Sequence, residues 1–293
     1  MIKVGLSAAV PDLVNTVKFL KSHPDVELQW IYNNGNSARV AALYPELTGE
    51  VDDTFVLEPD FDTIDLYIGP WSDDIAADES LKVVFTTCLP ASQEGIAIGV
   101  PEYSRKALVR GALGAYIPST STLIGALALM PLAKNLMLNS AITGSAILPV
   151  ADRRRANAAV GILPDKEFAE LKEHILSHLQ TSFVSNIDVC AFTSADSVAM
   201  ATFTIATPLE LSDIASLYHA FYDDHHHVVL LEDPSTPVCA AMVRGTNKAV
   251  ISLAPAADAI EVSVAFDDTV KRGSGLTGHL LNLLFGLDEL TGF

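Results

Sequence analysis

The sequence predicts an α/β protein made of a Rossmann-like parallel-sheet domain followed by a mixed α+β domain. Two observations carry this expectation. Up to about Pro118 short β-rich runs alternate with helical ones, the rhythm of βαβ units in a parallel sheet; beyond it the rhythm changes to long strand candidates separated by occasional helices. Of the 293 residues 49% are hydrophobic, which supplies enough apolar material for a core in each part.

Taken in order, Ile2–Ser7 is expected as a strand, Asp12–Ser22 as a helix, and Val26–Tyr32, Ile64–Ile68 and Lys82–Thr87 as strands. In the first helix Leu13, Val17 and Leu20 recur at three-to-four spacing, so one side can lie on a sheet. After Pro118 come a helix over Thr122–Asn135 and strands at Ala141–Leu148, Ile187–Ala191, Val198–Ala206, Lys248–Leu253 and Ile260–Phe266. Helices are expected at Asp165–Leu179, Pro208–Tyr222 and, after Gly273-Ser274-Gly275, at about Leu276–Phe285. The domain boundaries predicted are 1–118, 119–275 and a last segment, 276–293.

Charge and composition narrow the function classes. Eighteen Lys and Arg against 36 Asp and Glu give a formal charge of −18, which opposes binding to nucleic acid or to an anionic membrane. The one basic run, Arg153-Arg154-Arg155, reads as a solvated loop. The most apolar stretch, Leu123 to Leu138, is interrupted by Pro131 and Lys134 and falls short of the roughly 20 residues a spanning helix needs, so it reads as a core helix. The first residues read as a strand and not as an export signal. Cys88, Cys190 and Cys239 lie far apart in apolar surroundings, the pattern of reduced core thiols, and the expectation is a cytoplasmic protein.

Several short motifs stand at the two ends of the chain. Ile2-Lys3-Val4-Gly5, His23-Pro24-Asp25-Val26-Glu27-Leu28 and Tyr44-Pro45-Glu46-Leu47 open it; Val243-Arg244-Gly245-Thr246-Asn247, Val270-Lys271-Arg272-Gly273-Ser274-Gly275 and Asn282-Leu283-Leu284-Phe285-Gly286-Leu287-Asp288-Glu289 close it. In this order they resemble the N-acetyl-γ-glutamyl-phosphate reductase family over nearly the whole chain, least between Asp73 and Gly95, where the chain is the shorter. The resemblance implies a semialdehyde-dehydrogenase-like fold, NADP as cofactor, and subunit contact through the middle domain, hence a homo-oligomer. It also implies a last helix that returns to the nucleotide-binding domain.

Where the family places its chemistry, this chain has other residues. The family's glycine loop, Gly-x-x-Gly-x-x-Gly, falls on Ala8, Pro11 and Val14. A dinucleotide pyrophosphate needs close backbone approach and free amides at a helix N-terminus; Ala8 and Val14 add side chains, and Pro11 has no N–H. Pro11 is also an ordinary first helical residue. The family's nucleophilic cysteine falls on Thr120 within Ile117-Pro118-Ser119-Thr120-Ser121, and its two histidines fall on Val160 and Ile162 before Leu163-Pro164-Asp165. An aliphatic hydroxyl needs a strong positioned base to attack a carbonyl, whereas a cysteine thiolate is accessible near neutral pH. Met200-Ala201-Thr202-Phe203 has threonine in place of the family's substrate-gripping arginine, and the tail keeps Lys271 and Gly275 but has Leu276 for glutamine.

Other candidates remain. Ser119, Thr120, Ser121 and Thr122 precede a long helix and read as N-cap residues; the sharper reading is a small anion held by hydroxyls and amides at the positive helix end. Cys88 ends an apolar strand, where a structural thiol and a displaced nucleophile are the alternatives. His174 and His178 stand at i, i+4 beside Glu170 and Glu173, and Asp223-Asp224-His225-His226-His227 is rich in metal-binding side chains; both read as solvated surface, with no metal assigned. Three functions stay open: a degenerate relative turned to binding, assembly or regulation; an active NADP-dependent reductase of an acyl phosphate or semialdehyde with relocated chemistry; and a structural partner subunit of a true reductase. A Cys, His, Lys or carboxylate within bonding reach of Thr120 would speak for the second.

Overall fold

A computed structural model describes residues 1–72, 75, 80–87, 94–149, 160–163 and 165–293, with backbone alone for 160–163 and 165–166. The Arg153–Arg155 run and Cys88 lie outside the described residues. The chain forms two compact units, Met1–Pro118 with Arg272–Phe293, and Ser119–Lys271.

The first unit is a parallel six-stranded sheet, β1 (Ile2–Ser7), β2 (Val26–Tyr32), β3 (Leu66–Gly69), β4 (Lys82–Phe85), β5 (Ile96–Ile98) and β6 (Gly114–Tyr116), in the order β2-β1-β3-β4-β6-β5. Strands β3 and β4 are buried almost throughout, as strands covered on both faces are. Helix α1 (Leu13–Ser22) lays Leu13, Thr16, Val17 and Leu20 onto the core. Helix α2 (Pro101–Val109) starts with Pro at N1, where the missing N–H costs no helical bond. The pairing of β1 with β2 shifts register between Val4 and Gly5. There the Trp30 ring crosses the backbone, and a Cβ on Gly5 would lie 2.3 Å from Trp30 Cζ2, so only glycine fits.

The motifs from opposite ends of the sequence meet inside this unit. The Asp25 amide donates to His23 Nδ1 (3.2 Å), which leaves the proton on Nε2, and Nε2–H donates to Asn282 Oδ1 at 3.0 Å. Asn282 Nδ2 in turn donates to Thr291 O (2.9 Å). Asn282 belongs to the last helix, α5 (Leu276–Leu284), every residue of which is buried. Gly278 in α5 lies under the Phe19 ring, 2.3 Å from where a Cβ would stand. Glu289 accepts from Arg105 and from His279 Nε2 (2.8 Å), fixing the segment after α5 to α2.

The second unit is a mixed seven-stranded sheet of β7 (Ile142–Pro149), β8 (Val160–Leu163), β9 (Ile187–Ser194), β10 (Val198–Ala206), β11 (Val228–Leu230), β12 (Ala249–Ala256) and β13 (Ala259–Asp267), in the order β11-β12-β13-β10-β7-β9-β8. Helix α3 (Thr120–Lys134) packs on β10 and β13 and is buried from Ser121 to Ala133. It contains Pro131, whose ring nitrogen cannot donate to Leu127 O. The Tyr222 hydroxyl of α4 (Leu211–Tyr222) donates there instead, at 2.7 Å, and the neighbouring Tyr218 hydroxyl donates to Ala128 O.

Two expectations are corrected here. Cys190 and Cys239 are exposed, not core thiols: β9 alternates inward Ile187, Val189 and Ala191 with outward Asp188, Cys190 and Phe192, and sequence neighbours of a buried residue on a strand face the other way. Within Asp223–His227, His227 is not solvated; it is 6% exposed, and Asn247 Nδ2 donates to its Nδ1 at 3.2 Å. Among the described residues no helix is long and apolar enough to cross a membrane.

Candidate functional site

The second unit brings the four hydroxyl residues together at the N-terminus of α3. Ser119 is the N-cap: its extended backbone lets Oγ accept from the Thr122 amide at 3.2 Å. The Ser119 and Thr122 hydroxyls bond at 2.8 Å, and Ser121 Oγ donates to Glu167 O at 3.1 Å. Thr120, first residue of the helix and half-buried, donates its hydroxyl proton to Asp268 Oδ1 at 2.8 Å. Glu170 Oε2 lies 3.4 Å from both the amide and the hydroxyl of Ser119. The positive end of α3 thus faces two carboxylates of the chain itself, the charge that a helix N-terminus favours.

Sequence reasoning did not find Asp268 or Glu170 for this place. They stand 148 and 51 positions from their partners, and nothing local marks them. A carboxylate within reach of Thr120 is the feature that speaks for relocated chemistry, so its strength as a base decides. A carboxylate is a far weaker base than the alkoxide it would have to generate, so full proton transfer from an aliphatic hydroxyl to it is strongly uphill. The pair is a hydrogen bond that fixes the Thr120 rotamer, and among the described residues Asp268 is the carboxylate bonded to that hydroxyl.

The remaining positions implied by the resemblance are spread over the fold. Val160 and Ile162 lie in β8, paired with Phe192 and Cys190 of β9. Thr202 shares a 2.8 Å hydroxyl contact with Ser263 across β10 and β13. Lys271 is 1% exposed, and Gly275 is buried at the end of the kinked segment Asp268–Gly275. His174 is half-buried within a π-helical turn, Lys172–Leu176, and His178 is exposed. Among the described residues no group of three or more His, Cys, Asp or Glu is placed to hold a metal ion.

In the first unit the turn between β1 and α1 is where a Rossmann-type domain would meet a pyrophosphate. Here three of its amides, those of Ala8, Ala9 and Asn15, are engaged within the chain. The Ala8 amide donates to Tyr32 O (2.7 Å), prolonging the parallel pairing beyond β1, and the Ala9 amide donates to Ser7 Oγ (3.2 Å). Pro11 has no N–H. Asp12 caps the helix: Oδ1 accepts from the Asn15 amide (3.1 Å) and Oδ2 from Asn15 Nδ2 (2.7 Å), while its carbonyl accepts from the Thr16 amide (3.1 Å) and hydroxyl (2.6 Å). Val14 sits in the first turn of α1, half-buried. A side chain carrying negative charge occupies the helix end that a phosphate would need, so these residues do not fit the diphosphate of NADP.

Known proteins similar to this chain point one way. No protein-family model matches it. N-acetyl-γ-glutamyl-phosphate reductase of Parabacteroides distasonis is 28% identical over 319 residues, covering 100% of this chain and 98% of that protein. The enzyme of the same name from Bacteroides thetaiotaomicron is 27% identical over 320 residues, with the same coverage. Among solved structures, aspartate semialdehyde dehydrogenase II of Vibrio cholerae, complexed with ASA, superposes with a TM-score of 0.71 at 12% identity over 98% of both chains. Aspartate semialdehyde dehydrogenase of Candida albicans, solved with NADP, gives 0.68 at 14% identity, again over 98% of both. Along its full length this chain is similar to N-acetyl-γ-glutamyl-phosphate reductases at 27–28% identity, and its fold is that of the semialdehyde dehydrogenases.

Proposed function

We propose that this protein is a non-reducing relative of the N-acetyl-γ-glutamyl-phosphate reductases, retained for binding, assembly or regulation and associating through the sheet of its second unit. One observation carries the first half: at the position the resemblance assigns to the nucleophile, Thr120 gives its proton to Asp268 at 2.8 Å, a carboxylate too weak to activate it. Loss of a nucleophile in an enzyme whose catalytic groups act together lowers kcat by about 10⁶-fold, more than binding interactions recover.

Support for assembly comes from the outward face of the second sheet. Strand register aligns Phe192, Ile147, Met200, Ala265 and Val250 across five strands. The β12 end of this row is covered by Val238, Ala240 and Val243. At the other end Ile147 and Phe192 remain about two-fifths exposed, beside a cavity of about 210 Å³ lined by Ser145, Met200 and Val238. Adjacent exposed apolar side chains on a sheet mark a contact surface.

The test joins an assay to a sedimentation measurement. Purified protein is given NADPH with N-acetylglutamyl phosphate, and NADP with the semialdehyde and phosphate, and nicotinamide absorbance is followed. No turnover above the background without protein is expected, together with a self-associated species that Phe192→Asp dissociates. Hydride transfer abolished by Thr120→Ala would overturn the first half, and a monomer at micromolar concentration would overturn the second.

A further inference from the structure

The β1–α1 turn carries an inference that does not depend on Thr120. Helix N-termini bind phosphates because unpaired amides and the positive end of the helix dipole both point at the ligand. In this chain the Asp12 carboxylate meets the helix dipole and takes one of these amides. The Asp12 carboxylate takes the Asn15 amide at 3.1 Å and is held from the other side by Asn15 Nδ2 at 2.7 Å, so it is fixed at the helix end by two bonds from one residue. The cations of α1 do not offset it: Lys18 is paired with Glu50 at 3.5 Å and Lys21 with Asp53 at 3.4 Å, toward the other end of the helix.

The approach to the helix is closed in the same way. Ala8 continues the pairing with Tyr32, Ala9 is tied to Ser7, and the Thr86 hydroxyl reaches Ala9 O at 3.5 Å. Among the described residues positive φ values outside glycine occur only at Asn34, Leu136 and Ala257, so the turn is built from ordinary backbone conformations.

We infer that Asp12 is a specificity-determining residue that excludes diphosphate-bearing ligands as a class, NADP, ATP and inorganic pyrophosphate alike, from the turn at the end of β1. A diphosphate bearing two charges about 5 Å from a carboxylate, in a medium of effective dielectric constant about 40, is disfavoured by about two orders of magnitude in affinity. Pro11 adds to this by withholding one donor.

Asp12→Asn separates charge from capping, because asparagine caps a helix as well as aspartate does. Pro11→Gly/Asp12→Asn also returns an amide to the turn. The probes are NADP and inorganic pyrophosphate, with adenosine as an uncharged control, titrated by calorimetry. Wild-type protein is expected to give no saturable heat with either phosphate at millimolar concentration. Asp12→Asn should tighten both by about 100-fold, and the double variant should tighten them further, with adenosine unaffected by either. Far-UV circular dichroism and urea midpoints establish that the variants are folded. Saturable NADP binding by wild-type protein, with a Kd that Asp12→Asn leaves unchanged, would overturn the inference; so would folded variants that gain nothing. Either result without hydride transfer leaves the proposed non-reducing function standing, whereas hydride transfer alone tells against that function.

Discussion

Helix α3 offers a test of how this fold tolerates proline in a buried helix. Pro131 deprives Leu127 of the amide that would close its helical hydrogen bond, and Leu127 is fully buried, so water cannot take the place of that donor. The Tyr222 hydroxyl does so, at 2.7 Å. Tyr222→Phe keeps the ring and removes the donor, leaving a buried carbonyl short of a partner, a loss of about 1–3 kcal/mol. If the hydroxyl stands in for the missing amide, restoring the amide should make it dispensable. In a Pro131→Ala background the residue-131 N–H reaches Leu127 O in the ordinary helical way, and Tyr222→Phe should then cost less than about 1 kcal/mol. The coupling from the double-mutant cycle is expected at about 1–2 kcal/mol. Urea unfolding followed by circular dichroism gives each free energy, with an unchanged slope as the sign that the transition is comparable. Equal costs in both backgrounds would refute the reasoning.

Other outcomes follow from the same geometry. Thr120→Val removes one donor from Asp268 and should lower stability by about 1–2 kcal/mol in the same urea measurement, while Thr120→Ser, which keeps the hydroxyl, should lower it less. Tyr67 has its pKa pushed up to about 12, chiefly by burial, with a Ser7 hydrogen bond pulling the other way. Because the unfolded chain ionises near 10, the native state holds more protons between about 10 and 12, so stability is full below the lower value and falls as pH rises toward the upper. Ultraviolet titration should show Tyr67 ionising late, and later still in Ser7→Ala. The bidentate Arg244 guanidinium, at 2.7 and 2.8 Å, holds Asp196 down to about 2; in Arg244→Ala an NMR titration should find it back toward the usual carboxylate range. Both groups are well exposed, so added salt should weaken the effect.

Much of the architecture was legible along the chain because long elements repeat their pattern often enough to be read. Helix α1 and strands β1, β2 and β10 lie where periodicity places them, and Val198–Ala206 matches its expected bounds. Strands of three or four residues, β5, β6, β8 and β11, were missed, since so few positions show no alternation. Helix α2 was missed as well. The helix over 165–179 contains a π-helical turn that shifts its face partway, which an unbroken three-to-four pattern does not announce.

For the candidate site the division is sharper. The resemblance sets the expectation that Thr120, Val160 and Ile162 stand where cysteine and two histidines are implied; residue identity alone shows that Pro11 withholds a donor, because what a side chain can ionise or donate is fixed by its chemistry. Asp12, expected as the first residue of the helix, is its N-cap, and only its position in the fold shows that its charge faces the phosphate end. Tertiary structure decided the rest: Asp268 opposite Thr120, Glu170 over Ser119, His23 against Asn282, and Tyr222 at the carbonyl beside Pro131. These partners lie 51 to 259 positions apart, and hydrogen bonds that close over such spans depend on the packing of whole elements, which no local pattern encodes.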